Sequence, residues 1–252
     1  MNPVVLITGA TSGIGKACAE KFASHGYDLV ITGRRHARLM EIQTSLEKNQ
    51  RIRVLPLCFD VRDKDAVFSA INSMPEEWKN VNILINNAGL ALGKDSFENA
   101  LIEDWDNMLD TNVYGLLYVS RAILPFMISR NKGHIINIGS VAGKEVYESG
   151  NVYCASKFAV DAISRSMRID LLKYSIKVTA IHPGAVETEF SLVRFKGDEE
   201  KAHAAYNGLV PLTSENIAET IFFTATLPPH VCINELVITC LQQAGGIYFY
   251  RK

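Results

Sequence analysis

The chain has 252 residues, 48% of them hydrophobic, and a formal net charge of −1. This length and composition are sufficient for a single domain with a sizeable apolar core. A net charge so close to zero produces no global field toward nucleic acid or an anionic membrane, so neither partner is expected.

Five cysteines are scattered along the chain without a C-x-x-C pair. That pattern is typical of reduced thiols and argues against a disulfide framework and a zinc site, so we expect no metal. The first residues include no basic segment or cleavage site of a signal peptide, and no run of 18 apolar residues occurs. We therefore expect a cytoplasmic protein.

Short apolar runs alternate with stretches of helical periodicity from end to end. The runs are residues 4–8, 29–32, 53–59, 83–85, 134–138, 178–182 and 236–239, and the helical stretches include 16–25, 38–48, 113–130 and 153–174. Near-continuous apolar strands separated by helices predict a parallel sheet covered on both faces, and right-handed crossovers make it doubly wound. The predicted fold is therefore of the α/β class: one Rossmann-type domain over residues 1–252 with a seven-stranded parallel sheet and helices on both faces.

One long charged segment, about residues 189–207, lies between the sixth strand and the last helix. Insertions of this length in compact domains are often functional loops. We interpret this segment as a substrate lid.

The first strand is followed directly by the sequence TGATSGIG at residues 8–15. Glycines allow a tight turn and close approach of a pyrophosphate, and the helix that opens there presents free N–H groups and its positive dipole end. The spacing is G-x-x-x-G-x-G rather than G-x-G-x-x-G, and a plain glycine turn is the alternative. The residues predicted to contact a dinucleotide here are Gly9, Thr11, Ser12, Gly13, Ile14 and Gly15.

Two arginines, Arg34 and Arg35, follow the second strand, where many NAD-binding folds have an acidic residue for the ribose 2′-hydroxyl. A guanidinium pairs with a 2′-phosphate, which a carboxylate would repel. No acidic residue occurs from position 32 to 40. We therefore predict NADP(H) as cofactor, with a solvated basic helix start as the alternative.

Small and polar residues also follow the third and fourth strands. Asp60 and Val61 end the third strand, and Asn87, Ala88 and Gly89 follow the fourth. Ligands of such sheets bind beyond the carboxyl ends of the strands, so these residues are predicted to contact the cofactor, with Asp60 accepting a hydrogen bond from the adenine amino group. Each of them is equally typical of a helix cap or a turn.

A candidate acid/base pair lies in the sequence YCASK at residues 153–157. Tyr153 and Lys157 are four residues apart, so a helix places them on one face. A nearby ammonium favours the phenolate, and we expect it to lower the Tyr153 pKa toward working pH. Ser140, just after the strand at 134–138, is predicted to hold the substrate oxygen. Taken separately, these residues are also typical of a core aromatic, a surface lysine and a turn serine.

Together these motifs resemble the short-chain dehydrogenase/reductase family, in the right order over nearly the whole chain. The resemblance implies that Tyr153 exchanges the proton, that Lys157 tunes it and holds the nicotinamide ribose, and that Ser140 positions the substrate oxygen. It also implies that Asn112 anchors a water leading from Lys157 to solvent. The residues that would frame the nicotinamide carboxamide are Pro183, Gly184 and Thr188.

Four stretches, at 86–93, 134–140, 150–153 and 188–198, are similar to those of the NADP-dependent 3-hydroxy acid dehydrogenases within that family. This implies oxidation of serine, allo-threonine or 3-hydroxypropionate, or reduction of malonic semialdehyde, by a homotetramer. Two departures, a short segment at 183–188 and a tail that fits poorly from about Cys240, border the substrate end. We further hypothesise that Arg194 or Lys196, in the lid, pairs with the substrate carboxylate, although a solvated loop charge is the alternative.

Two other functions remain open from the sequence. One is another short-chain reductase, of a ketoacyl or general carbonyl substrate. The other is a non-catalytic NADPH-binding sensor that kept the fold. A sensor has no need of Asn112, Ser140, Tyr153 and Lys157 together, so their joint presence favours an enzyme.

Overall fold

Seven parallel strands form one sheet in the computed structural model, which describes residues 2–252. They are β1 (Val4–Ile7), β2 (Asp28–Gly33), β3 (Val54–Cys58), β4 (Val81–Asn86), β5 (Gly133–Ile138), β6 (Ile176–Pro183) and β7 (Glu235–Ile238), in the spatial order β3-β2-β1-β4-β5-β6-β7. Each predicted run overlaps one observed strand. The predicted doubly wound α/β fold is confirmed.

In the described part of the chain, nine α-helices connect and cover these strands. They are α1 (Gly13–Ser24), α2 (His36–Asn49), α3 (Lys64–Asn72), α4 (Ile102–Leu109), α5 (Leu116–Ile128), α6 (Asn151–Leu171), α7 (Glu189–Arg194), α8 (Glu199–Ala204) and α9 (Ser214–Ala225). Within residues 2–252, each helix is too short or too polar to cross a bilayer.

Hydrophobic cores lie on both faces of the sheet. In β1, Val5 and Ile7 belong to one buried cluster, whereas Val4 and Leu6 belong to the other. Successive side chains of a strand point to opposite faces, so a strand with two covered faces needs apolar residues at every position. This is why the strands appear in the sequence as continuous apolar runs.

The order of the strands places a crevice at the centre of the sheet. From β1 the chain winds outward through β2 to β3, then crosses back to pair β4 with the other side of β1. Ligands of open parallel sheets bind at this switch point, beyond the carboxyl ends of the strands. The glycine turn after β1 and residues 87–89 after β4 both lie there.

The helix predicted at residues 113–130 begins earlier than the sequence indicated. A single helical rod runs from α4 through a π-helical turn (Asp110–Gly115) into α5. The π turn shifts the phase of the helical periodicity, so the sequence pattern did not show that α4 and α5 belong to one rod. The turn is where Asn112 lies.

Candidate active site

A cleft of about 980 Å³ opens at the carboxyl edge of the sheet and extends from the glycine turn to the segment 189–207, the predicted lid. Its lining includes most of the residues that the sequence predicted for the cofactor and substrate, namely Gly9, Thr11, Ser12, Gly13, Ile14, Arg34, Arg35, Asp60, Val61, Asn87, Ala88, Gly89, Ser140, Tyr153, Lys157, Pro183, Gly184, Thr188 and Arg194. Three predicted residues, Gly15, Asn112 and Lys196, lie outside the lining.

The glycine turn has the backbone geometry that its sequence suggests. Gly9 and Gly13 have φ values of 66° and 53°, a region that favours glycine. Gly15 lies behind the cleft, where a Cβ would stand only 2.4 Å from the carbonyl oxygen of Gly9. Its role is therefore to let α1 approach the turn closely.

The start of α1 is suited to an anion. Ser12 is the N-cap residue, but its hydroxyl accepts a hydrogen bond from Arg35 Nη2 at 2.8 Å, and within the described chain it makes no cap bond to the helix. The first N–H groups of α1 therefore remain free for a ligand. Free N–H groups together with the positive end of the helix dipole bind phosphate.

The two arginines after β2 stand beside this helix start. Arg35 donates from Nε to Thr11 Oγ1 at 3.0 Å, and Arg34 Nη1 lies 3.7 Å from a carboxylate oxygen of Asp60. That carboxylate also accepts hydrogen bonds from Arg62, including one from Nη2 at 2.7 Å. Although burial opposes it, the arginines hold the pKa of Asp60 below its usual range. Asp60 thus orients Arg34, and its predicted hydrogen bond to adenine stays a prediction.

The residues after β4 support the turn as well as the cleft. Asn87 donates from Nδ2 to the carbonyl oxygens of Thr8 and Gly9, at 2.9 and 3.2 Å. Thr8 Oγ1 accepts in return from the backbone N–H groups of Asn87 and Ala88. These bonds tie the ends of β1 and β4 together across the crevice.

Tyr153 and Lys157 lie side by side on α6, as their spacing predicted. Lys157 Nζ is 5.9 Å from the centroid of the Tyr153 ring and donates to the carbonyl oxygen of Ile138 at 3.0 Å. Both side chains are buried. Burial lowers the pKa of Lys157 to about 8.

The expectation of a lowered Tyr153 pKa is wrong for the protein alone. Burial raises this pKa above its ordinary value, and Tyr147 raises it further. The Ser140 side chain and the Arg194 guanidinium act in the opposite direction without overcoming burial. A desolvated phenol retains its proton because the charged form loses its hydration.

Asn112 is held by three hydrogen bonds at the π turn. Its Nδ2 donates to Leu90 O at 2.8 Å and to Ser156 Oγ at 3.0 Å, and its Oδ1 accepts from Leu90 N at 2.8 Å. The side chain therefore joins the segment after β4 to α6, the helix that carries Tyr153 and Lys157. Its role in anchoring a water stays a prediction.

The two basic lid residues point to different places. The Arg194 guanidinium lies in the cleft, with Cζ 5.5 Å from the Tyr147 ring centroid and 5.6 Å from that of Tyr153. Its Nη2 is buried and has no hydrogen-bond partner among the described residues. Lys196 Nζ instead pairs with Asp104 at 2.8 Å, outside the cleft. The geometry favours Arg194 as the partner of a substrate anion.

The segment after β6 completes the cofactor side of the cleft. A Cβ on Gly184 would stand 2.1 Å from Gln243 Oε1, which accepts from the backbone N–H of Ala185 at 2.8 Å. Thr188 is the N-cap of α7, and its Oγ1 accepts from Phe190 N at 3.1 Å. The contacts that Pro183, Gly184 and Thr188 would make with a nicotinamide stay predictions.

Three further cleft residues were missed from the sequence. Phe190 packs with its ring centroid 5.8 Å from that of Tyr153, Tyr147 lies under Arg194, and Gln243 comes from the tail. None belongs to a local motif. For Phe190 and Gln243 the sequence held an indirect signal, because they lie in the long charged segment and in the poorly fitting tail, whereas nothing in the sequence pointed to Tyr147.

Comparisons with known proteins agree with this geometry. A sequence model of the short chain dehydrogenase family matches residues 3–198. The chain is 46% identical over 251 residues to "NADP-dependent 3-hydroxy acid dehydrogenase YdfG" of Salmonella typhi, which covers 99% of this chain and all of that protein. It is also 46% identical to "Sulfoacetaldehyde reductase 2" of Chromohalobacter salexigens over 249 residues, 98% of both chains.

Solved structures of high similarity include "The Closed form of serine dehydrogenase complexed with NADP+". That structure has a TM-score of 0.92 and 45% identity, over 99% of this chain and 100% of the other. A second serine dehydrogenase structure, from Escherichia coli, has a TM-score of 0.83 and 41% identity, over 96% and 99% of the two chains.

Proposed function

The chain belongs to the short-chain dehydrogenase family, and on that premise we propose that it is an NADP-dependent dehydrogenase of small 3-hydroxy acids. It is an oxidoreductase that acts on a CH–OH group, or on the carbonyl group in the reverse direction. The substrates expected are serine, allo-threonine and 3-hydroxypropionate, or malonic semialdehyde in the reverse direction.

NADP(H) fits the cleft on features of the protein itself. Free N–H groups at the start of α1 suit the pyrophosphate, and Arg34 with Arg35 suits a 2′-phosphate. Gly89 leaves space beside Lys157, since a Cβ there would lie 3.5 Å from Nζ. We assign the adenosine end to the two arginines and the nicotinamide end to Tyr153.

Side chains of the protein transfer the proton of the substrate hydroxyl group. Bound NADP⁺ would supply the acceptor for the hydride of the carbon that bears the hydroxyl group. Tyr153 Oη takes the hydroxyl proton in oxidation and returns a proton in reduction. Ser140 holds the reacting oxygen, and the Lys157 ammonium favours the phenolate beside it. Because the pKa of Tyr153 is raised, oxidation depends more than reduction on stabilisation of the phenolate by Lys157 and Ser140. Reduction uses the protonated phenol.

The observation that carries the choice of substrate is the position of Arg194. Among residues 2–252, Nη2 of its guanidinium is buried without a hydrogen-bond partner, and the guanidinium lies next to the Tyr153 phenol. A carboxylate on the carbon next to the reacting one would satisfy that donor. This arrangement favours a small acid over a bulky neutral ketone. A neutral ketone would leave Arg194 Nη2 buried without a hydrogen-bond acceptor, which costs binding free energy.

A second candidate is the reduction of sulfoacetaldehyde. A sulfonate is also an anion one carbon from the reacting carbonyl, and the same guanidinium suits it. The similarity to a sulfoacetaldehyde reductase supports this alternative. The two candidates share one mechanism and differ only in the anion beside Arg194.

One assay tests the proposed function. NADPH absorbance is followed with serine, 3-hydroxypropionate, malonic semialdehyde, sulfoacetaldehyde and a bulky neutral ketone. We expect turnover with the hydroxy acids or the semialdehyde, and Tyr153→Phe should abolish turnover while NADPH still binds. Preference for sulfoacetaldehyde supports the second candidate, and preference for the neutral ketone contradicts both.

Two matched variants test the anion site. Arg194→Met should raise KM for the acid about ten- to hundredfold, as expected for loss of a charged hydrogen bond. Lys196→Met, two residues away, should leave KM within about twofold, because its ammonium pairs with Asp104. The opposite order of effects would contradict the choice of Arg194.

We also assign the protein to the cytoplasm and to a homotetramer as part of this proposal. All five cysteines are free, which suits a reducing compartment. Two exposed apolar patches support self-association: one on α6, with Phe158 and Ile169, and one at the edge strand β7 and the tail, with Val237 and Leu241. Two self-complementary patches on one chain are sufficient to close a tetramer.

A further inference from the structure

The lid begins directly above the glycine turn. Gly13 lies against Thr188, since a Cβ on Gly13 would be 3.4 Å from the Thr188 side chain. The next residue, Glu189, is the first of α7, and Arg194 is the last. One short helix therefore has its first residue at the cofactor end of the cleft and its last at the substrate end.

The Glu189 carboxylate bridges two arginines of α2 and the turn before it. Arg35 Nη1 donates to Oε2 at 2.9 Å, and Arg38 Nη1 donates to Oε1 at 2.9 Å and to Oε2 at 3.2 Å. These contacts hold the pKa of Glu189 below its usual value, although burial opposes it. The carboxylate is therefore ionised at neutral pH and can pair with both guanidinium groups.

Arg38 differs from Arg35 in an instructive way. Arg35 lines the cleft and also donates to Thr11 and Ser12. Arg38 lies one turn further along α2, beside the cleft lining, and its side-chain hydrogen bonds go to Glu189. The position of Arg38 serves the lid contact rather than the cofactor.

We propose that Glu189 is a positioning residue whose ion pairs with Arg35 and Arg38, here called the latch, fix the lid helix α7 to α2. The latch thereby holds Arg35 and Arg194 in a fixed position relative to each other. The latch links the end of the cleft assigned to the 2′-phosphate with the end assigned to the substrate anion. This inference rests on the proposed function, because it gives Arg35 and Arg194 their ligands. Its consequence is that opening of the lid, release of cofactor and binding of substrate change together.

The exposed fraction of the paired side chains indicates how much the latch stabilises the closed lid. The side chains of Glu189, Arg35 and Arg38 are 41–44% exposed, and exposed ion pairs contribute less than about 1 kcal/mol each. Loss of the latch should therefore change lid opening by about two- to fivefold. Such a change leaves the fold intact.

The experiment compares Glu189→Gln, Arg38→Gln and the double variant, with Glu200→Gln as control. Glu200 is exposed on α8 of the same lid, so its substitution removes the same charge. Hydrogen exchange of peptides from 189–207 reports lid opening, and stopped-flow fluorescence reports NADPH release. KM and kcat for the substrate are measured separately.

We expect each single variant to speed exchange of the lid and NADPH release about two- to fivefold and to raise KM by a similar factor, without lowering kcat. The double variant should match Glu189→Gln, because that substitution already removes the partner of Arg38, whereas Arg38→Gln alone leaves the Arg35 pair and should have the smaller effect. Exchange in α9 serves as the internal reference for intact folding. Rates equal to those of Glu200→Gln, or additive effects in the double variant, would overturn the latch.

Failure of the latch and failure of the proposed function give different results. Lid exchange is measured on the protein without cofactor or substrate, so it decides the latch whatever the enzyme acts on. A parent protein that binds no NADPH would refute the proposed function alone. Normal NADPH binding with unchanged lid exchange would refute the latch alone.

Discussion

At the scale of single residues, we predict that Ser140 lowers the pH at which Tyr153 can accept a proton. Its side chain lowers the pKa of the Tyr153 phenol, which burial has raised. In oxidation the phenolate is the active form, so a group that stabilises it brings activity to lower pH. Ser140→Ala should therefore move the rising limb of kcat for oxidation to higher pH.

The shift expected for Ser140→Ala is about one to two pH units, since a hydrogen bond to a charged group contributes about 1.5–3 kcal/mol. The measurement is a pH profile of kcat with saturating hydroxy acid. Ser140→Thr keeps the hydroxyl and should keep the limb in place. If both variants show the limb of the parent protein, Ser140 does not act on this phenol.

Cofactor choice also belongs to individual residues. Arg34 and Arg35 each offer charged donors to a 2′-phosphate, and each such bond contributes about 1.5–3 kcal/mol. Arg34→Ala with Arg35→Ala should lower the preference for NADPH over NADH, measured as a ratio of kcat/KM, by about a hundredfold or more. Arg51→Ala, exposed after α2, is the control and should preserve the ratio. Equal use of both cofactors by the parent protein would contradict the assignment.

At the scale of elements, a buried polar network joins two strands to two helices. Asn86 Nδ2 in β4 donates to Ser120 Oγ of α5 at 2.8 Å and to Asn137 Oδ1 of β5 at 2.9 Å. Asn137 Nδ2 donates in turn to Ser164 Oγ of α6 at 2.9 Å. These bonds hold β5 in register directly before Ser140.

Asn137→Ala should destabilise the fold because it leaves buried partners without hydrogen bonds. We expect a loss of about 2–3 kcal/mol in the free energy of unfolding, from one lost network and a small cavity. Urea unfolding followed by circular dichroism measures it. Ser129→Ala, in an exposed position after α5, should change this free energy by less than about 0.5 kcal/mol. Equal stability of the two variants would show that the network contributes little.

Some elements of the fold and site were predictable from the sequence, and others were not. The strands were predictable because a sheet covered on both faces needs continuous apolar runs, and the glycine turn because few residues adopt positive φ. The π turn at Asn112 was not, since one extra residue in a helical turn has no composition of its own. Within the lid, α7 ends at Arg194, and Lys196 and Gly197 have positive φ. This reversal, invisible in the sequence, separates the two basic residues.

The direction of the Tyr153 pKa shift could not be predicted from the sequence, because it depends on burial by residues outside the motif. The spacing of Tyr153 and Lys157 is local and was sufficient to place the ammonium beside the phenol. The desolvation that dominates comes from side chains distant along the chain, including Phe190. Local geometry is encoded in a motif, whereas burial depends on the whole fold.

At the scale of the whole molecule, the exposed apolar surface leads to the last prediction. On α6, Phe158 and Ile169 are three turns apart and 41% and 72% exposed, so they form one outward stripe. The second patch lies where β7 ends the sheet, with Val237 at 50% exposure and Leu241 fully exposed. An edge strand with apolar neighbours would aggregate unless another chain covers it.

Charge placed on one patch should therefore separate the proposed homotetramer along one interface only. We expect Phe158→Glu and Val237→Arg each to give dimers, and the double variant to give monomers, by sedimentation velocity. Met40→Glu, on α2 away from both patches, should leave the tetramer intact. Because a closed tetramer with twofold axes needs two different self-complementary contacts, loss of one leaves the dimer held by the other. A parent protein that sediments as a monomer would contradict the assembly while leaving the site, which lies within one chain, unaffected.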